Sequence, residues 1–293
     1  MINLKIPVGI SDFEKIRKNQ YYFVDKSGLI EELLNTESNE VTLITRPRRF
    51  GKTLGMSMLA SFFDIRRDSS ELFRGLKISQ KEELCQKWMN QYPVLFVTFK
   101  DVDGLDFQSA KEMLRIQIAD RCNEYLCLIS SEKVNENDKA IFRQLADVVK
   151  GDVSDAMLKT GIALIMRMLQ DYYEKPVILL LDEYDVPLAK ASAHGYYTEM
   201  LEVMRAMIST ALKDNPSLRF AVVTGCLRIS RESIFTGTNN FVSDTIFDTR
   251  LNEYFGFLQD EVEQLLTAIG AKDKAGIVKE WYDGYHFGSY DVY

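Results

Sequence analysis

Gly51-Lys52-Thr53 and Asp182-Glu183 are the residues whose types and order point to chemistry, and each group follows a run of strand-forming residues. The first is preceded by Val41-Thr42-Leu43-Ile44-Thr45 and the turn-forming Arg46-Pro47-Arg48-Arg49-Phe50, and leads into helix-prone Leu54 and beyond. Strand, loop, Gly-Lys-Thr and helix in that order make the context of a phosphate-binding loop. The first amides of a helix lack internal acceptors and its dipole is positive there, so a triphosphate supplies both acceptors and negative charge. In this reading Arg46, Pro47, Arg48, Arg49, Phe50, Gly51, Lys52, Thr53 and Leu54 form an ATP-binding loop. Gly51 lets the backbone approach the phosphates, Lys52 reaches the β- and γ-phosphates, and the Thr53 hydroxyl ligates Mg²⁺. The full pattern has glycine where this chain has Arg46, and a bare Gly-Lys-Thr recurs by chance. A basic turn before a helix is therefore the competing reading.

The second group closes Val177-Ile178-Leu179-Leu180-Leu181, an apolar run suited to a buried strand. Nucleotide hydrolysis needs a strand-terminal acidic pair of this kind. Asp182 would hold Mg²⁺, directly or through water, and Glu183 would polarise the attacking water as general base. An acidic turn after a core strand competes with that reading, and the upstream Gly-Lys-Thr favours the chemical one. Asp185 could cap the following segment or buttress the site. A third strand, Leu218-Arg219-Phe220-Ala221-Val222-Val223-Thr224-Gly225, ends in a hydroxyl beside a glycine. Thr224 could sense the γ-phosphate or orient the water, and Arg228 could reach the phosphates as an arginine finger. Arg228 and Arg231 read equally well as surface charges.

The surrounding pattern supplies elements to position these groups. Ser11 or Asp12 caps a short helix through Arg17, and residues 27–34 form another. A helix over 51–63 carries Leu54, Met58, Leu59, Phe62 and Phe63 on one apolar face. Pro93-Val94-Leu95-Phe96-Val97-Thr98-Phe99 reads as a strand covered on both sides, with Asp101 capping the turn after it. Helices follow over 109–129 and 155–173, separated by a polar, exposed loop over 130–138. Near the end, 260–269 forms an amphipathic helix closed by Gly270, and 272–281 a second one. Trp281, Tyr282 and Tyr285 read as core packing, and His286 as structural.

At 293 residues, with 46% hydrophobic and 27% charged residues, the chain can bury a full α/β core. A formal charge of -7 argues against general nucleic-acid binding; Arg46, Arg48 and Arg49 form the dense basic cluster. Four cysteines without CxxC spacing and only two histidines make structural zinc an unsuitable reading. Cys122 and Cys127 are expected as buried free thiols. The start lacks the apolar core of a signal peptide and no segment approaches membrane-spanning length, so the cytoplasm is the expected compartment.

Together, Thr45-Arg46-Pro47-Arg48-Arg49-Phe50-Gly51-Lys52-Thr53, Leu181-Asp182-Glu183-Tyr184-Asp185, Thr224-Gly225, Ser233-Ile234-Phe235 and Trp281-Tyr282-Asp283-Gly284-Tyr285 closely resemble the bacterial AAA-ATPase-like family. The similarity runs from Ile6-Pro7-Val8-Gly9 to Tyr285, and the family's loop is arginine-rich where a generic one has glycine. The resemblance implies an α/β P-loop NTPase three-layer fold with a parallel sheet of the additional-strand class. It implies an N-terminal lead over 1–40, a P-loop core over 41–253 and a small helical lid over 254–293. It also implies Mg²⁺-dependent ATP hydrolysis that drives an attached domain or partner, in a possible homo-oligomer. Such proteins commonly carry a C-terminal PD-(D/E)XK nuclease-like domain. This chain stops at Tyr293, which is expected to make it a fragment, so nuclease activity is not assigned to these residues. A non-hydrolysing nucleotide switch and an interaction scaffold with a vestigial loop are the alternatives.

Overall fold

The computed structural model describes residues 4–35, 40–149, 153–226, 234–235, 241–282 and 285–293. In chain order the leading elements are α1 (Phe13–Lys18), α2 (Gly28–Leu34), β1 (Val41–Thr45), α3 (Lys52–Phe63), α4 (Ser70–Phe73) and α5 (Glu82–Trp88). Next come β2 (Val94–Thr98), α6 (Phe107–Glu124), α7 (Glu136–Ala146), α8 (Asp155–Tyr173), β3 (Val177–Asp182), α9 (Val186–His194), α10 (Tyr197–Leu212) and β4 (Leu218–Gly225). The remainder holds β5 (Phe241–Asp244), α11 (Gln259–Ala268), α12 (Ala275–Tyr282), β6 (Tyr285–Phe287) and β7 (Tyr290–Val292). The protein is α/β, with a five-stranded parallel sheet in the order β2-β3-β4-β1-β5, flanked by helices. In this order β4 lies between β3 and β1. That is the inserted strand the additional-strand class requires.

By compactness the chain divides into Met1–Glu37 with Ile44–Gln91 and Ser243–Tyr293, and Ser38–Leu43 with Tyr92–Val242. In the first unit Phe13 and Ile16 of α1 are buried. Asp12 caps α1 by accepting from the Lys15 amide, and Phe13 stacks on Phe73 with ring centroids 4.9 Å apart. Phe62 meets Phe73 edge-on at 5.2 Å. Lys26 ties the N-terminal lead to the C-terminal segment, donating to both Glu261 oxygens and to the Glu253 carbonyl.

In the second unit β3 is buried at every position because it is covered on both faces, as its unbroken apolar run requires. It pairs in parallel with β2, Thr98 opposite Asp182, and with β4, Leu181 opposite Val223. This register brings the β3 and β4 ends to the same rim. Ser154 caps α8 through the Met157 amide, and Ile162, Ile165 and Leu169 turn its apolar stripe into the core.

Some expectations change. The polar stretch over 130–138 already contains the start of α7, capped by the Asn135 side chain on the Asn137 amide. The long helix after β2 ends at Glu124 and passes into a 3-10 turn over Leu126–Ser130. Because that turn reorients the chain, Cys122 is buried while Cys127 is exposed, not buried as expected. Among the described residues no helix is long and apolar enough to cross a membrane. Burial pushes the Cys122 thiol up to about 12. With iodoacetamide at about pH 8, peptide mass spectrometry should find Cys127 alkylated in the folded protein and Cys122 only after denaturation. Alkylation of both in the folded state would contradict this packing.

Candidate functional site

The loop after β1 sorts its side chains by direction. Arg46 and Phe50 turn inward and are buried, Pro47 is half-buried, and Arg48, Arg49 and Gly51 are exposed. Arg49 and Gly51 both adopt positive φ, 71° and 80°, and Gly51 N-caps α3. A glycine suits that conformation, and no atom crowds the place a Cβ would take, so the requirement is backbone geometry. Lys52 is 5% exposed, and its Nζ donates to the carbonyls of Arg46 and Pro47, each at 2.9 Å. The ammonium is thus held across the loop by neutral carbonyls, from which an anion could recruit it. Thr53 and Leu54 follow, half-buried, in the first turn of α3.

Arg46 takes a role that the motif did not suggest. Its side chain is wholly buried, with Nη2 2.6 Å from Asp244 Oδ1 and 2.8 Å from Asn252 Oδ1. Nη1 donates to the carbonyls of Thr45 and Asp244 at 2.9 and 3.0 Å. The Phe255 and Phe287 rings lie 5.3 and 5.5 Å from the guanidinium carbon, within cation–π range. Burial pushes Arg46 down and Asp244 up from their ordinary values, and the ion pair opposes both shifts. With its guanidinium so engaged, Arg46 offers a phosphate its backbone rather than its charge. Phe50 does the same at the loop's other end, meeting Tyr285 and Phe287 at 4.8 and 5.2 Å. The Gly256 amide donates to the Phe50 carbonyl at 3.1 Å. A Cβ on Gly256, φ 75°, would sit 2.4 Å from Val292 and 2.7 Å from the Phe50 ring.

Asp244, Asn252, Phe255, Gly256 and Phe287 were not singled out by the sequence reading. The available signal was Arg46 itself, since a cation ending a buried strand needs a buried acid. The C-terminal segment also differs from a purely helical lid, because β6 and β7 form an antiparallel hairpin. Trp281 is 78% exposed, and Tyr282 and Tyr285 are exposed as well, so the core-packing expectation is overturned. The buried aromatic of the hairpin is instead Phe287. His286 pairs with Asp291 across the hairpin at 2.9 Å, on the exposed side.

The acidic strand end lies in the second unit. Asp182 is 0% exposed, its Oδ1 accepts from the Thr224 hydroxyl, and its carbonyl accepts from the Phe99 amide at 2.9 Å. Thr224 is also buried, and its hydroxyl is spent on orienting the Asp182 carboxylate. Glu183 is half-buried and holds φ at 56°, a left-handed conformation that a non-glycine residue adopts at some cost. Arg228 and Arg231 lie outside the described residues. Among the described residues no cluster of three or more His, Cys, Asp or Glu forms a ready-made metal cage. A Mg²⁺ ion here would share its ligands with phosphate, as that ion commonly does.

Removing the Asp244 carboxylate leaves a buried cation without its counter-ion. Asp244→Ala should cost about 3–5 kcal/mol in urea unfolding. Asn252→Ala, which removes a neutral acceptor, should cost about 1–3 kcal/mol. Losses below about 1 kcal/mol in both would contradict the role given to Arg46.

A family model described as AAA-ATPase_like, Predicted AAA-ATPase, matches residues 7–235. An uncharacterized protein in the vnfD 5' region of Azotobacter chroococcum mcd 1 is 28% identical over 304 residues, covering 100% of this chain and 51% of that protein. The chain thus spans about half the length of this curated relative. No solved structure gives a significant match. With the family match running from the N-terminal turn through β1–β4 and both candidate groups, the chain belongs to the AAA-ATPase-like family.

Proposed function

We propose that this protein binds ATP with Mg²⁺ through residues 46–54 and hydrolyses it with the acidic pair at the end of β3. The observation that carries the reading is Lys52, a buried ammonium held by two loop carbonyls at the mouth of α3. The buried lysine and the open helix mouth of the loop suit a triphosphate. Lys52 would exchange its carbonyl acceptors for phosphate oxygens, and the first amides of α3 would supply further donors. Thr53 and Asp182 would hold the metal ion. Bound Mg²⁺ would neutralise charge on the phosphate oxygens as the γ-phosphoryl group leaves. Thr224 holds the Asp182 carboxylate in orientation, and Glu183 accepts a proton from the attacking water. Arg228 would reach the phosphates as an arginine finger.

A second reading, a nucleotide switch without turnover, is favoured by the way both ends of the loop rest on the C-terminal residues through Arg46 and Phe50. In either reading nucleotide occupancy would act on an attached domain or partner.

Lys52→Ala should weaken Mg·ATP binding about 10- to 100-fold by calorimetry, because it removes a charge-assisted donor. Glu183→Gln should keep the affinity and reduce phosphate release about 100- to 10,000-fold. Unchanged turnover in both variants would overturn the hydrolytic reading. Tight binding with no phosphate release from the unaltered protein would select the switch.

A further inference from the structure

The Asp-Glu-Tyr-Asp run contains a carboxylate that the proposed reaction does not use. Asp185 stands at the N-cap position of α9 but makes no side-chain cap bond. It is 3% exposed, and its Oδ2 accepts instead from the Cys226 amide at 3.0 Å, just past the end of β4. Next to it, the Tyr184 amide donates to the Thr224 carbonyl at 3.1 Å. The Tyr184 ring is wholly buried and packs on Phe235, centroids 5.4 Å apart. Gly225 completes the fit: a Cβ there would lie 2.6 Å from the Tyr184 ring and 2.7 Å from Asp185 Oδ1. Any side chain at 225 would force the Tyr184 ring or the Asp185 carboxylate to move.

Glu183 is consequently anchored on both sides. Asp182 before it is bonded to the Thr224 hydroxyl, and Tyr184 and Asp185 after it are bonded to the Thr224 carbonyl and the Cys226 amide. Between these anchors Glu183 keeps its left-handed φ of 56°, a conformation that persists where surrounding contacts over-determine it. We propose that Asp185 is a positioning residue, whose bond to the Cys226 amide locks the β3 and β4 ends together and so aims the Glu183 carboxylate. The inference rests on the hydrolytic reading above and deepens it, since the aim of a general base matters only where it takes a proton. Charge on Asp185 strengthens the bond to the amide, while an amide side chain of the same shape can still accept from it.

The test compares Asp185→Ala and Asp185→Asn with the unaltered protein. The readouts are steady-state phosphate release, Mg·ATP affinity, and hydrogen exchange at the Cys226 amide. Asp185→Ala should lower kcat about 100-fold, the scale set by small misplacements of a reacting group, with KM and affinity unchanged within about twofold. Its Cys226 amide should exchange faster, and Asp185→Asn should restore both rate and protection. If the unaltered protein turns over and Asp185→Ala matches it, the positioning role is overturned while the hydrolytic reading stands. Parallel loss of affinity and thermal stability in Asp185→Ala, not rescued by Asn, would make the residue merely structural and also overturn it. If the unaltered protein binds Mg·ATP without turnover, the hydrolytic reading falls and the positioning role falls with it.

Discussion

The buried pair of Arg46 and Asp244 is the constraint on which the candidate loop depends. A guanidinium carries five N–H donors and a permanent charge, so burying it is costly unless acceptors meet its terminal nitrogens. Here the acceptors come from Thr45, Asp244 and Asn252, and the Phe255 and Phe287 rings lie alongside. The pair is weak support for stability as such, because desolvation offsets much of the attraction, but breaking it strands a charge. What it secures is position: the first residue of the loop is fixed to β5 and to the residues after it. A glycine at this point would lack these contacts, whereas the arginine ties the backbone to them. Phe50 fixes the far end, so Arg48, Arg49 and Gly51 are presented from a loop held at both sides.

The acidic strand end uses a different device for the same purpose. Parallel pairing sets the ends of β3 and β4 side by side, and the bonds of Asp182, Tyr184 and Asp185 to residues 224 and 226 then fix the turn. Thr224 and Gly225 act on this turn in complementary ways, one by donating to a carboxylate and the other by leaving room. A strand end held this way keeps Glu183 in place before a ligand arrives, which is the condition the proposed catalysis would need.

Much of this was legible in the residues. The strands at 94–98 and 177–182 follow from apolar runs suited to burial, those at 41–45 and 218–225 from β-prone residues, and α3 from helical spacing. The positions of the Gly-Lys-Thr loop, between β1 and α3, and of the acidic pair, at the end of β3, were legible because they reside in local order. What was not legible depends on contacts far apart in sequence. Arg46 reads as a phosphate ligand until Asp244 and Asn252 are seen beneath it, since local sequence does not reveal which way a side chain turns. Trp281 and Tyr282 read as core because large aromatics usually bury, yet α12 presents them outward and Phe287 fills the interior. The Asp185–Cys226 bond is equally invisible in the sequence, because helix-capping is the usual use of an aspartate before a helix.

The most direct measurement of the central claim is a crystal structure of this chain with Mg²⁺ and a non-hydrolysable ATP analogue. The account predicts a triphosphate on Lys52 Nζ and the first turn of α3, metal on Thr53 with Asp182 as direct or water-mediated ligand, and an unbroken Arg46–Asp244 pair. A nucleotide bound away from Lys52, or an Arg46 guanidinium withdrawn from Asp244 to meet the phosphates, would contradict it.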